Sequence, residues 1–451
     1  MIVVLGIFCL TGCTFSAGPD LSSPINTIRP FSPSGCHEIP DKWWTAFGDR
    51  ELNRFVNQAL QSNFDLKTAW QRLREARAVV DRETASLFPD LQGVAEGEKV
   101  RRDSDITERL ELGLASEYEL DLWGRIESGI EAEQYRADAA FSDYEIAVLS
   151  VSAEVVRTWY QLMEVHSQME LLDEQIETNR KMLDLIKARF GTGQSRRVDV
   201  LRQEQLLEST REQRVLAESK VRVLEHRLAV LSGRPPQNPF KYEAKGLPPV
   251  PPFPDTGLPV ELVQRRPDVK SAYNRLKAAD RDTAVSISNR YPRVTMQVSA
   301  STLDEGAEKL FEIWAGSFSA GLVAPLLDAG RRKAEVERTR AVEQQRLYEY
   351  GRTILESFQE VENALIREKK QISRIESLKK QLRLADESHE QVKREYFNGM
   401  NDFIDVLTAL SEKQRIQRNL LEAGLMRLEY RIALYRALAG GFDIKEKAGK
   451  E

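Results

Sequence analysis

Two stretches of this chain are near copies of each other. Asp65–Leu91, DLKTAWQRLREARAVVDRETASLFPDL, aligns without gaps on Asp268–Val294, DVKSAYNRLKAADRDTAVSISNRYPRV, at an offset of 203. Asp, Lys, Ala, Arg, Leu, Ala and Pro recur in place. Farther on, Gly124-Arg125 matches Gly330-Arg331 and Asp199-Val200-Leu201 matches Asp405-Val406-Leu407, now at an offset of 206. The three-residue drift falls after Pro89 and Pro292, where a hairpin loop absorbs it. A repeat of this kind is a structural unit used twice, so each element read in one half is expected in the other.

The unit has a simple grammar. An amphipathic helix of about 30 to 40 residues ends before Pro89 or Pro292, because proline disfavours helix in the residue preceding it. Two strand-like segments follow, predicting β-hairpins at 92–121 and 293–324. In the first, Leu110, Leu112, Leu114, Tyr118 and Leu120 face one way, and Glu111, Gly113, Ala115, Glu117 and Glu119 the other. In the second, Val294, Met296, Val298 and Ala300 alternate with Thr295, Gln297, Ser299 and Ser301, and Trp314, Phe318 and Leu322 mark a further strand. Gln92–Arg102, charged and glycine-bearing, is the least strand-like of the four.

Very long helices come next. Gly124–Arg189 would extend about 100 Å at 1.5 Å per residue; the chain breaks at Gly191 and Gly193 and returns to Leu231. The second half repeats this from Asp328 to Tyr396, breaks at Asn398-Gly399 and returns to Leu438. Helices of this length read as coiled coil. The expected organisation is a signal segment at 1–12, an extended tether at 13–48 and a first repeat at 49–233 with its helical hairpin at 124–232. A Pro-rich linker follows at 234–259, then a second repeat at 260–440 with its hairpin at 328–438, and a charged tail at 441–451. The linker RPPQNPFKYEAKGLPPVPPFPDTGLP predicts an extended, semi-rigid connector. Thr14–Pro40 reads equally as an extended tether or a disordered tail.

The amino terminus, MIVVLGIFCLTGC, joins a short apolar run to small residues and a cysteine. The run is too short to span a bilayer and suits a signal-peptide core, although no Lys or Arg precedes it. Cys13 is then the candidate lipidated residue, and Cys36 has no internal partner. No other segment approaches 18 consecutive apolar residues, so no membrane-spanning helix is expected.

Four strands, apolar on one face and polar on the other, cannot stand as an open sheet in hydrocarbon, because their edges would carry unsatisfied backbone groups. Membrane barrels close at eight or more strands, so with four strands from one chain a membrane barrel would require at least two chains. A soluble β-subdomain packed on helices is the alternative. Glu111, Glu117 and Glu119 suit a water-filled lumen better than a dry core.

Further motifs are Leu10-Thr11-Gly12-Cys13, Trp43-Trp44 with Phe47 and Asp49, Asp121-Leu122-Trp123-Gly124-Arg125, and Arg265-Arg266-Pro267-Asp268. With the duplicated Gly…Asp-Val-Leu turns, they make the chain from Cys13 to about Gly440 resemble TolC-type outer-membrane efflux proteins of the lipoprotein branch. The resemblance implies a mostly α fold with a β-barrel part. Three copies would form a 12-stranded outer-membrane barrel on a long periplasmic α-helical barrel. It also implies a periplasmic adaptor and an inner-membrane pump, of RND type, as partners, with drugs or metal ions as cargo.

On this resemblance the turns bearing Gly191, Gly193 and Gly399 lie at the periplasmic tip and dock the adaptor. Asp405, Asp402, Tyr396, Asp199 and Ile404 form the gate and pore constriction, with hydrogen bonds through Tyr396 and Asp199 holding it closed. Leu110, Leu112 and Leu114 face lipid. Thr408 stands where relatives often carry a second acid, and Asn401 where some carry a basic gate residue. An aspartate after a turn also serves as an N-cap, a reading open for both Asp402 and Asp405.

Other chemistry is not indicated. His37, His166, His226 and His389 lack metal-ligand spacing and read as surface or loop residues. Gly191-Thr192-Gly193 lacks the strand and Gly-Lys-Ser/Thr of a phosphate loop. A net charge of -5 without a basic block gives no footprint for nucleic acid. No enzyme activity, metal or cofactor is expected. The leading function is a passive, gated efflux conduit; a channel for protein or polysaccharide secretion and a soluble periplasmic coiled-coil adaptor are the alternatives.

Overall fold

A computed structural model describes residues 31–32, 35–102, 105–238, 241–304 and 314–438. Cys13, the signal segment and the charged tail lie outside them. Each half of the chain contributes two shorter helices, a β-hairpin and a pair of very long helices. They are α1 (Arg50–Ser62), α2 (Phe64–Thr84), β1 (Asp90–Arg102), β2 (Asp105–Leu120), α3 (Arg125–Gly191) and α4 (Arg197–Leu231) in the first half. In the second they are α5 (Pro259–Arg265), α6 (Pro267–Ser288), β3 (Arg293–Asp304), β4 (Trp314–Val323), α7 (Arg331–Phe397) and α8 (Phe403–Ala437). The equivalent long helices are equal in length, 67 residues for α3 and α7 and 35 for α4 and α8.

The single opening helix expected in each half is in fact two. Asn63 ends α1 and caps α2, its side-chain oxygen accepting the backbone N–H groups of Asp65 and Leu66 at 2.9 and 3.1 Å. In the second half Arg266 takes an extended conformation ahead of Pro267, which breaks the helix there.

One compact unit comprises Gln71–Asp143 with Asp268–Thr353. Its four strands form one antiparallel sheet in the order β1-β2-β3-β4. β1, the least strand-like segment in sequence, pairs with β2 along its whole length. The register puts Leu91, Gly93, Ala95, Leu110, Leu112, Leu114, Tyr118, Leu120, Val294, Met296, Val298, Ala300, Trp314, Phe318, Ala320 and Leu322 on one face. Gln92, Glu96, Glu111, Glu117, Glu119, Thr295, Gln297, Ser299, Ser301, Ser317 and Ser319 share the other. The apolar face is uncovered: Leu91, Leu114, Val298, Phe318 and Leu322 are 51–69% exposed. Beside the strand ends, Trp123 stacks on Tyr291 at 4.9 Å and donates to the Pro292 carbonyl at 2.7 Å. Asp121 starts α3 by accepting the N–H groups of Arg125 and Glu127 at 2.7 and 2.8 Å.

The other unit is built from residues 31–70, Tyr144–Pro267 and the chain from Ile354 onward. Its largest core joins Trp43, Trp44, Phe47, Phe55, Trp159, Tyr160 and Tyr435. Asp49 ties this cluster together, capping α1 through Glu51 and Leu52 while accepting from the Trp159 indole at 2.9 Å. The expected extended tether therefore stops short of residue 48: Trp43–Phe47 form a 3-10 turn because burying three aromatic rings outweighs an extended path. Upstream, residues 35–37 run beside Pro254–Asp255, and a Cβ on Gly35 would lie 1.7 Å from the Phe253 carbonyl oxygen.

The proline-rich connector is fastened to both hairpins. The Tyr242 hydroxyl donates to Glu225 of α4 at 2.8 Å and bonds His166 of α3 at 2.8 Å. At its other end Arg431 of α8 donates to the carbonyls of Pro251 and Pro252. The same guanidinium pairs with Glu368 of α7 at 2.7 and 2.9 Å, both side chains being fully buried. Burial pushes the Glu368 carboxyl above its usual range, against the pull of Arg431.

Candidate functional site

Both helical reversals use the same backbone device. Gly193 and Gly399 each adopt φ +75°, a left-handed conformation that costs glycine nothing. Gly193 N–H bonds Phe190 O at 3.0 Å and Gln194 N–H bonds Arg189 O at 2.8 Å. The matching bonds, Gly399 to Tyr396 and Met400 to Glu395, are 3.0 and 2.9 Å. These are Schellman terminations, which satisfy the last carbonyls of a helix. Gly191 does not break the helix as expected. It is the last residue of α3, because the left-handed position falls at Gly193.

The side chains around the two turns differ sharply. Arg189 and Arg196 of the first tip correspond, at the 206 offset, to Glu395 and Asp402 of the second. Arg196 Nη2 lies 3.3 Å from Asp402 Oδ1, so the equivalent positions pair with each other across the tips. The Arg189 guanidinium lies 5.0 and 5.4 Å from the rings of Tyr396 and Phe397. Asn401 braces the second tip by donating to Glu395 at 2.6 Å. Phe190, Phe397 and Met400 leave an apolar surface at the turns, 41, 36 and 66% exposed.

The two equivalent aspartates have separate tasks. Asp199 is 3% exposed and accepts the Arg196 N–H at 3.0 Å and the Ser195 hydroxyl at 3.3 Å, so it caps its own helix. Asp405 occupies the same place in α8 but is exposed. Phe403, Val406 and Leu410 bury the opposite face of α8, which turns Asp405 and Ile404 outward. Asp402 holds the N-cap position with extended geometry yet makes no capping hydrogen bond; its carboxylate faces Arg196 instead.

Within a single chain, among the described residues, Tyr396 and Asp199 form no side-chain hydrogen bond to another helix. The Tyr396 hydroxyl is buried without a hydrogen-bond partner, as is the second oxygen of Asp199. The helix N-terminus at Arg196 takes the first Asp199 oxygen, and the Tyr396 ring packs on Phe403 at 5.5 Å. The pair that bridges the tips, Arg196–Asp402, was missed in the sequence. Applying the 206 offset residue by residue finds it, as opposite charges at one repeated position.

Two histidines also depart from the surface reading. His166 is half-buried against Tyr242, and His389 is 4% exposed within the α7–α8 hairpin. Among the described residues no group of histidine, cysteine and carboxylate side chains could hold a metal ion. Leu110, Leu112 and Leu114 stand together on the apolar face of the sheet.

Comparisons with known proteins agree with this geometry. The family model described as "Outer membrane efflux protein" matches residues 55–234 and 258–440, one match to each half. The pyoverdine export outer membrane protein OpmQ of Pseudomonas aeruginosa is 28% identical, with 89% of this chain and 88% of the relative covered. Nodulation protein T of Rhizobium leguminosarum bv. trifolii is 26% identical over 98% of this chain and 97% of its own. The solved outer-membrane channel OprN superimposes with a TM-score of 0.85 at 26% identity, covering 94% of this chain and 99% of that one. The duplicated halves, the two-faced sheet and the paired hairpins are those of a channel protein, and this chain belongs to the outer membrane efflux protein family.

Proposed function

We propose that three copies of this chain close their sheets into one 12-stranded barrel in the outer membrane and pass small molecules outward from a periplasmic adaptor and an inner-membrane pump of RND type. The observation that carries this reading is the sheet. One face is largely apolar, with Leu91, Leu114, Val298, Phe318 and Leu322 exposed on it, and within this chain β1 and β4 are edge strands among the described residues. In lipid an open edge leaves backbone groups unsatisfied, and closure removes it. Joining β4 of each copy to β1 of the next satisfies both edges, directs Leu110, Leu112 and Leu114 to lipid, and leaves Glu111 and Glu117 toward water. Trp123 and Tyr291 suit the bilayer interface, where aromatic rings concentrate.

Cys13 carries the lipid in this reading. Phe31 packs on Phe358, which lies 27 residues along α7, about 40 Å of helix. At the tips, Asp405 and Ile404 line the constriction. Threefold symmetry makes Asp405 a ring of carboxylates that favours cations. The exposed Phe190, Phe397 and Met400 beside Gly193 and Gly399 receive the adaptor. The name of OpmQ records export of pyoverdine, and the cargo of this chain is read as small molecules, drugs or metal ions.

The test is cross-linking in a Cys36→Ser background, with single cysteines scanned along β1 and β4. A disulfide ladder ending at three chains, in detergent-extracted outer membrane, is the expected result. A detergent-free monomer with no β1–β4 cross-link at any register would remove the barrel reading. Labelled palmitate should enter the protein and be lost with Cys13→Ser.

A further inference from the structure

On the second half of α7, Leu378, Leu382, Ala385, His389, Val392 and Tyr396 follow one another at alternating intervals of four and three residues. That is the spacing of a coiled-coil seam, and the other five are buried or half-buried, Leu378, Leu382 and Ala385 in an apolar cluster of this hairpin and Val392 and Tyr396 in one shared with α3 and α4. His389 occupies the same seam at 4% exposure, and its Nδ1 is buried without a hydrogen-bond partner. At the 206 offset the first hairpin carries Leu183 there, 7% exposed. The duplication thus replaces a leucine with an ionisable ring at one core position of one hairpin.

The charges around His389 do not welcome a proton. Lys413 of α8 is the facing cation, and Asp386, one turn before His389, is already engaged with it at 2.5 Å. Glu390 and Lys393, the other charged neighbours on α7, pair with each other at 3.7 Å. Burial first, and then Lys413, push the imidazole below its ordinary range, with Glu390 and Asp386 opposing. The sign follows directly. The closed hairpin favours neutral His389, so its stability is full above the unfolded-state pKa of about 6.5 and falls as pH drops from there toward the lowered folded value.

We propose that His389 is an acid-sensitive release in the second hairpin: neutral, it fills the α7–α8 seam; protonated, it cannot remain there, and the tip-side end of the hairpin loosens. Asp402, just past the end of the seam, then loses its fixed place opposite Arg196. The consequence for conduction rests on the tips being the gate, as proposed above. External acid would thereby favour opening without any change in the pump.

Hydrogen exchange on the detergent-extracted protein at about pH 7.5 and about pH 5.5, corrected for intrinsic rates, tests this. Peptides covering residues 380–415 should exchange severalfold faster at the lower pH, while peptides covering 148–165, in the separate core around Trp159, serve as the internal control. His389→Leu, which installs the residue of the first hairpin, and His389→Gln, neutral at both values, should abolish the difference. Equal exchange in the unaltered protein, or a difference that survives in both variants, overturns the proposal. Bilayer conductance separates the two readings. Acid-dependent exchange with unchanged conductance keeps the release at His389 and sinks the gate at the tips.

Discussion

The two helical hairpins descend from one template, yet they meet the same positions with opposite chemistry. Arg196 and Asp402 are equivalent and bind each other. Glu225 and Arg431 are also equivalent, and each holds one end of the connector. Glu225 accepts from the Tyr242 hydroxyl, whereas Arg431 donates to the Pro251 and Pro252 carbonyls. Leu162 of the first hairpin, fully buried, becomes Glu368 in the second, where it neutralises Arg431. Duplication preserves the backbone, because helix lengths and glycine turns are set locally. It frees the side chains to diverge in complementary pairs, since each copy has the other as a partner.

The largest expected effect comes from undoing that divergence at the connector. Arg431→Met leaves buried Glu368 with only Arg427, 3.9 Å away, as a cation, and breaking a buried pair costs about 3–5 kcal/mol. Adding Glu368→Leu, the state of Leu162 in the first hairpin, should recover most of the loss. Denaturant unfolding of the detergent-extracted protein measures both. If the double variant is as unstable as the single one, the connector carbonyls and not the buried carboxylate set the cost.

A second comparison separates the two faces of the sheet. Leu112→Arg places a charge on the apolar face, at a cost of about 2–4 kcal/mol near the bilayer midplane, and should impair recovery of the protein in the outer membrane. Glu111→Arg, one residue away on the polar face, should assemble normally. Equal yields of the two variants would contradict the assigned facing.

Much of this was legible in the sequence because it rests on repetition and period. The 206 offset located both glycine turns, and the alternation from Leu110 to Leu120 placed the leucines on one face. β1 was hard to read because Gly93, Ala95 and Gly97 stand where leucines stand in β2; its pairing comes from β2, not from its own propensity. The break at Asn63 was hidden because its side chain caps one helix while its backbone ends another, inside an otherwise continuous pattern. At the tips, sequence placed Asp199 and Asp405 in register but could not tell which was buried. That depends on whether the helix turns the aspartate toward its own N-terminus or toward solvent.

The aspartates therefore give the third test. Asp199→Ala removes the bond to the Arg196 N–H and should cost about 1 kcal/mol, as loss of a helix cap usually does. Asp405→Ala should change stability by no more than about 0.5 kcal/mol, as at other exposed sites. In planar bilayers, however, it should raise conductance or weaken block by multivalent cations. The outcome that breaks the comparison is the reverse pattern, with Asp405 structural and Asp199 controlling block.

The smallest effect concerns the pair that bridges the tips. Arg196 and Asp402 are 61 and 68% exposed at the side chain, and exposed ion pairs contribute about 0–1 kcal/mol. Neither single reversal, Arg196→Asp or Asp402→Arg, should shift the unfolding midpoint measurably. Each should raise the fraction of time the channel conducts, because like charges then face each other across the tips. The double reversal restores opposite charges in exchanged places and should return conduction toward that of the unaltered protein. Salt sharpens the reading: surface pairs weaken as the screening length falls, so the difference between single and double variants should shrink as ionic strength rises. A difference that is independent of salt would mean that the reversals act on the turn backbone, through the N-terminus of α4 or α8, and not through the pair.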